Sequence, residues 1–490
     1  MITTLSIAVL AVTALGVSAQ SDLSPAASVV GFPGPRPTGA ESEVAGTAPA
    51  ATFKFSYYPQ PAWMENYWSG FIPPTCELLE AHMLRGHGAR HSSSNETVST
   101  LGAKIANATA SGKLNATGDL AFLNTWKYGL GTENLTSYER EQLFDLGVFW
   151  RVKWGHLLDN VPNGTLPVFR TTSPDRMVMS ALNFAAGVAL IQGHSHQVNQ
   201  TVDVHTGIAG NNTSSPASCK NLRIFLSYPS VIDNDVWPAV WLANATARIN
   251  SLVTGINFTT ADVGNMQSLC AYESVAVGHS DFCGLFTEAE WEGFEYSSDL
   301  THWYGFAWGA PAAAAAMGAG WVQELVARLT DTTVTISPST IVNNNTFFTF
   351  VSKNHTVFQN SLWNGTSQSL VGYVFVALNS TSFTKTGPLP VDHIPAGKRS
   401  FVASETTPFS TALVAQVVNC TDASGSATPY IRWLLNDASV SLDNIPGCGA
   451  DAYGRCPLDA FVAAMKVRAG EINYDVGFSN VTANDIFSAD

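Results

Sequence analysis

Charge is scarce in this chain. Asp, Glu, Lys and Arg together make up only 13% of its 490 residues, roughly half the share usual in globular proteins. Only 24 are basic against 38 acidic, and the formal net charge is -14. No basic stripe is available to neutralise a polyanion, so nucleic acid is excluded as a partner. A small anionic ligand is not excluded, because a few arginines in one pocket override the global field. Long apolar runs are missing as well. Beyond the first 19 residues nothing approaches the ~20 apolar residues that a membrane span needs, so no membrane association is expected. Neither a metal-ligand cluster nor an internal repeat stands out, and no cofactor is expected.

What is present belongs to a globular protein: 46% hydrophobic and 11% aromatic residues, in a length that allows one large core or two domains. Residues 1–19 read as a signal peptide, with an apolar core from Ile7 to Val17 and a small-residue end at Val17-Ser18-Ala19. Residues 20–52, rich in Pro, Gly and Ala, read as a flexible arm. Asn-x-Ser/Thr sequons are dense, among them Asn95, Asn107, Asn115, Asn134, Asn163, Asn199, Asn244, Asn257, Asn354, Asn364, Asn379, Asn419 and Asn480. N-linked glycans would solvate a surface so poor in charge. Seven cysteines in that context imply disulfides with one thiol left over. The expected location is secreted, extracellular.

The segment richest in chemistry is Leu84-Arg85-Gly86-His87-Gly88-Ala89-Arg90-His91. It follows an apolar run, Leu78–Leu84, that reads as a buried strand, and precedes helix-favouring sequence around 95–106. Glycines on both sides of His87 permit a tight turn and close approach of a ligand. An imidazole between arginines at a strand end is the layout of an anion site, or else of a surface loop with some basic residues. The device recurs. Leu166–Arg170 reads as a strand with an arginine at its end, followed by Ser173 as N-cap and Pro174 opening a helix to Leu190. Thr136-Ser137-Tyr138-Glu139 has the form of a capping box at the start of another helix. Further helices are expected from Pro311 to Arg328 and from Leu458 to Ala469, the latter ended by Gly470. Strands are expected at 348–351, 413–418 and 430–435, whereas 369–378 fits helix and strand equally. Strands alternating with helices imply an α/β core, whose ligands bind at strand carboxyl ends.

Over roughly 55–475 the chain resembles the histidine acid phosphatases, in particular their secreted fungal phytase-like branch. The resemblance is carried by Gly86-His87-Gly88-Ala89-Arg90-His91-Ser92, by 128–136, 280–287 and 324–329, and by Val417-Val418-Asn419-Cys420. It implies a phosphoglycerate mutase-like α/β sandwich domain (53–120, 160–195, 300–490) with an inserted, mainly helical second domain (121–159, 196–299). It implies a phosphomonoester hydrolase in which His87 takes the phosphoryl group. Arg90 and Arg170 would bind substrate phosphate, with Arg85 beside them; Arg170 could instead serve a structural ion pair. Arg176 is read as helix-start scaffolding for Asp175. It also implies the disulfides Cys76–Cys420, Cys270–Cys283 and Cys448–Cys456, which leaves Cys219 a free thiol.

The departures from the family pattern are specific. Gly86 replaces its first arginine and Ser92 its closing proline. Where a His-Asp pair should precede 370–378, the chain has Asn364-Gly365-Thr366-Ser367-Gln368-Ser369. Asp392-His393, in reversed order, would substitute only along an unusual loop path, and His355 follows a sequon asparagine. Two functions are therefore carried forward: a phosphatase of weakened or altered activity, and a pseudophosphatase that keeps the fold as a binding protein or for other chemistry.

Overall fold

The computed structural model describes residues 72, 74–93, 97–159, 168–172, 174–190, 201–205, 236–330, 332, 357–360 and 369–473. Its main strands, in chain order, are β1 (Cys76–Arg85), β2 (Val168–Thr172), β3 (Thr201–His205), β4 (Val357–Asn360), β5 (Ala412–Thr421), β6 (Ala427–Leu435), β7 (Ala438–Val440) and β8 (Arg455–Pro457). They form one sheet in the order β8-β6-β5-β1-β4-β2-β3, with β7 also paired to β6. The pairs β1/β4, β4/β2 and β2/β3 are parallel, whereas β1/β5 and β5/β6 are antiparallel. β1 is therefore interior, and its last five residues are all buried, as expected of a strand covered on both faces.

The helices that matter below are α1 (Val98–Ala110), α2 (Ser137–Trp154), α3 (Asp175–Leu190), α4 (Thr260–Val277), α5 (Glu288–Phe306), α6 (Pro311–Leu329), α7 (Ser369–Ala377) and α8 (Leu458–Glu471). The two-residue alternation of the strands sorts their side chains into two cores. Leu413, Ala415, Ile431, Trp433 and Leu435 face α5, α6, α7 and α8. Val414, Val418 and Leu434 face the other way, with Phe169, against Leu143, Leu146, Trp150 and Phe184 of α2 and α3. A third cluster joins Val98, Leu101 and Ile105 of α1 to Leu120, Leu123, Ile249, Val263, Met266 and Phe282.

Two helices have packing partners across the expected boundaries. Helix α2 lies within 121–159, assigned to the helical part, yet it packs on the sheet with Phe169 and Phe184. Helix α1, assigned to the α/β part, packs with residues 242–286. The ambiguous segment 369–378 forms helix α7, whose residues 370–377 are all buried; such a run has no polar face for periodicity to reveal. Gly470 does not end α8, which continues to Glu471. Arg170 lies inside β2, since the strand runs on to Thr172. Cys76–Cys420, Cys270–Cys283 and Cys448–Cys456 are bonded as expected, the first between residues paired in register across β1 and β5. The expectations for residues 1–52, Ser173, Cys219, the strand at 348–351, His355 and the stretch 361–368 lie outside the described residues.

Candidate active site

The loop that leaves β1 is held at nearly every residue. The Gly86 N–H donates to Thr411 O at 2.8 Å, and Ser410 N–H donates to His87 O at 2.8 Å. Gly88 N–H donates to the Glu139 carboxylate at 3.0 Å. Thr136 N–H reaches Ala89 O at 3.2 Å, His91 N–H reaches Asn134 O at 2.9 Å, and Glu133 N–H reaches Ser92 O at 2.9 Å. Ser92, where a proline was expected, has its hydroxyl 3.3 Å from the Tyr128 hydroxyl. A loop with its backbone polar groups satisfied in this way is preorganised rather than a mobile surface turn.

His87 is fully buried. Its Nδ1 lies 2.7 Å from Gly88 O. A carbonyl can only accept, so Nδ1 carries the proton and, in the neutral ring, Nε2 keeps its lone pair. Nε2 is buried and has no hydrogen-bond partner among the described residues. Burial, and next the positive charge of Arg90 and that of Arg176, lower the pKa of this histidine to about 3. The ring is therefore neutral across mildly acidic and neutral pH.

Arg90 and Arg176 thus supply the positive field at His87, and both are buried. Arg90 donates to His91 O at 2.8 Å, and its guanidinium lies 6.0 Å from the ring centre of Tyr272 on α4. Arg176, in the first turn of α3, pairs with Glu133 at 2.5 Å. The other two arginines expected at the site make these contacts among the described residues. Arg170 pairs at 2.5 Å with Glu324 of α6, which also holds Arg328. Arg85 donates to Ser410 O at 3.0 Å and stacks 5.0 Å over Phe184. Asp392 and His393 pair with each other at 2.7 Å on an exposed loop.

Two residues at this site had a different sequence reading. The sequence reads Arg176 as helix-start scaffolding, although it occupies the same kind of strand-then-helix junction as Arg170. By its spacing from Thr136, Glu139 reads as half of a capping box. Thr136 does accept from the Glu139 N–H at 3.3 Å, but the carboxylate turns away to Gly88 and to Ser180, whose hydroxyl donates at 2.8 Å. The reciprocal bond of the box is absent because Thr136 N–H is already committed to Ala89 O. Desolvation raises the Glu139 pKa to about 7, against the opposing effects of the Ser180 and Gly88 bonds and of Arg140.

The profile of the histidine phosphatase superfamily (branch 2) matches residues 77–436. Phytase A of Aspergillus terreus is 29% identical over 427 residues, 81% of this chain and 84% of its own. Phytase A of Aspergillus oryzae is 27% identical over 420 residues, 82% of this chain and 84% of its own. Among solved structures, the phytase from D. castellii superposes with a TM-score of 0.65 at 22% identity, covering 86% of this chain and 87% of that one. The multiple inositol polyphosphate phosphatase of Bifidobacterium longum, in complex with inositol hexasulfate, superposes with a TM-score of 0.52 at 13% identity, covering 82% and 94%.

Proposed function

Because the chain belongs to the histidine phosphatase superfamily (branch 2), we propose that it hydrolyses phosphomonoesters through a phosphohistidine formed at His87. The observation that carries this reading is the fixed tautomer: Nδ1 is tied to Gly88 O, and a bare Nε2 lies in the field of Arg90 and Arg176. Nε2 attacks phosphorus as the bond to the ester oxygen breaks, and the leaving oxygen takes up a proton. Water then attacks phosphorus, the N–P bond breaks, and inorganic phosphate departs with the Nε2 lone pair restored. Arg90 and Arg176 offset the charge that builds on the equatorial oxygens. Arg170 and Arg85 act through the walls of the site, one through its pair with Glu324 and the other against Phe184 and Ser410.

The leaving-group proton is the weak point. Where the family resemblance leads one to expect a His-Asp pair, the sequence 364–369 has neither histidine nor carboxylate, and Gly86 brings no cation. General acid catalysis is typically worth about 10²–10⁴-fold, and alkyl esters bear that loss in full while aryl esters hardly need the proton. We therefore infer a weakened phosphatase that favours activated leaving groups. A pseudophosphatase that only binds anions is the second reading, favoured by the same two replacements.

Hydrolysis of an aryl phosphate and of phytate at acidic pH, by wild type and His87→Ala, tests both. Turnover that depends on His87, with the aryl ester strongly preferred, is the expected result. Equal rates for the two proteins on both substrates would remove the phosphatase reading, and anion binding without turnover would leave the binding protein. The apolar leader and exposed sequon asparagines such as Asn107, Asn115, Asn134 and Asn257 support secretion as a glycoprotein. A mass decrease on endoglycosidase treatment of the secreted protein is the check.

A further inference from the structure

Glu139 stands directly behind the nucleophile loop, and the mechanism above does not use it. A Cβ added at residue 88 would meet Glu139 Oε1 at 2.6 Å and Cδ at 2.7 Å, with Cγ closer still. A side chain at residue 88 would therefore displace this carboxyl group. Oε1 accepts from Gly88 N–H at 3.0 Å and from the Ser180 hydroxyl at 2.8 Å. Oε2 is buried with no hydrogen-bond partner among the described residues. An ionised carboxylate with one oxygen bare in a dry interior is costly, and the neutral acid is much less so. The charge that acts on it is Arg140 on its own helix, and its bonds lead to Gly88, next to His87, and to Ser180, one turn after Arg176 on α3.

We propose that Glu139 is a positioning residue whose protonated form is the anion-binding state of the His87 loop. As the neutral acid it holds the His87–Gly88 peptide, whose other end is fixed by Ser410 N–H on His87 O, and that peptide sets the Gly88 carbonyl which orients the imidazole. Once ionised, it keeps the bond to Gly88 but places a negative charge behind the nucleophile, and the pocket rejects an anion. The burial that raises its pKa to about 7 puts the change near neutrality. A weakly acidic working range then follows from the loop's own support. This inference rests on the anion-pocket reading but not on turnover.

The experiment is calorimetric titration with inorganic sulfate, whose charge is constant from pH 5 to 8.5, on wild type, Glu139→Gln and Glu139→Ala. Wild type should bind sulfate about tenfold more weakly at the alkaline end, the size expected of one like charge nearby in a partly screened site. Glu139→Gln keeps the acceptor for Gly88 and cannot ionise, so its affinity should not share that decline. Glu139→Ala loses the clamp and should bind weakly at every pH. A carbon-13 NMR titration of the wild-type carboxyl gives a second measurement, independent of how the variants fold. By reciprocity, saturating sulfate should raise its midpoint by about one pH unit. An equal pH dependence in wild type and Glu139→Gln, or a midpoint that sulfate leaves in place, overturns the proposal. Absence of any sulfate binding by wild type removes the pocket reading and this inference together.

Discussion

Helices α2 and α3 cross with their backbones in contact, and a single methyl group tests how closely. Gly147 on α2 faces Phe184 O, Val188 N and Gly187 Cα of α3, and Gly187 in turn faces Phe144 O, Phe144 C and Val148 N of α2. A Cβ at Gly147 would come within 2.9 Å of Val188 N and 3.0 Å of Gly187 Cα, and nearer still to Phe184 O. Nothing in that set is a flexible side chain that could swing away. In an open helix, Gly→Ala stabilises by about 1 kcal/mol through propensity. Forcing apart two packed backbones costs about 3 kcal/mol, the upper end for overpacking. Gly147→Ala should therefore lose about 2 kcal/mol. The control is Gly264→Ala on α4, where the new Cβ meets only Leu242 Cδ1 at an ordinary 3.4 Å and a gain of up to about 1 kcal/mol is expected. Urea midpoints at constant m measure both variants. The crossing also sets the separation of the helix starts that carry Glu139 and Arg176, so Gly147→Ala should lower activity as well as stability. A Gly147→Ala midpoint equal to or above that of Gly264→Ala would refute the close crossing.

Two further outcomes follow from the buried charges. The His87 pKa is lower folded, about 3, than its ordinary 6.5. The stability tied to keeping it neutral is thus full above pH 6.5 and lost as the pH falls towards 3. His87→Gln should flatten the unfolding free energy over that window, and an unchanged acid limb would count against the buried neutral ring. Glu324 is 2% exposed and holds both Arg170 and Arg328. Glu324→Ala takes that carboxylate from the buried Arg170 and the half-buried Arg328 and should cost about 3–5 kcal/mol, seen as a lower urea midpoint. A midpoint within error of wild type would refute the assignment of Arg170 to this pair.

Much was legible along the chain because it depends on local physics. An apolar run predicts β1, glycines predict the turn around His87, and alternation predicts β5 and β6. The capping residue Thr136 marks the start of α2, and family resemblance named all three observed disulfides. Where the local pattern carried no contrast, it was silent. The segment that became α7 is apolar on every side because it lies inside the core, so neither period showed.

The partners of the site were settled in three dimensions. Arg170 and Arg176 are six residues apart at the same junction, and nothing in their spacing says which one His87 senses. Packing gave Arg170 to Glu324 on a distant helix and left Arg176, in the first turn of α3, acting on the imidazole. Glu139 matched a capping box by pattern, but the Thr136 N–H that the box needs was taken by Ala89 O, and the freed carboxylate found Gly88. Residue type and local period determined the strand, the turn and the histidine; the competition of long-range partners for hydrogen bonds and for buried charge decided which groups stand around it.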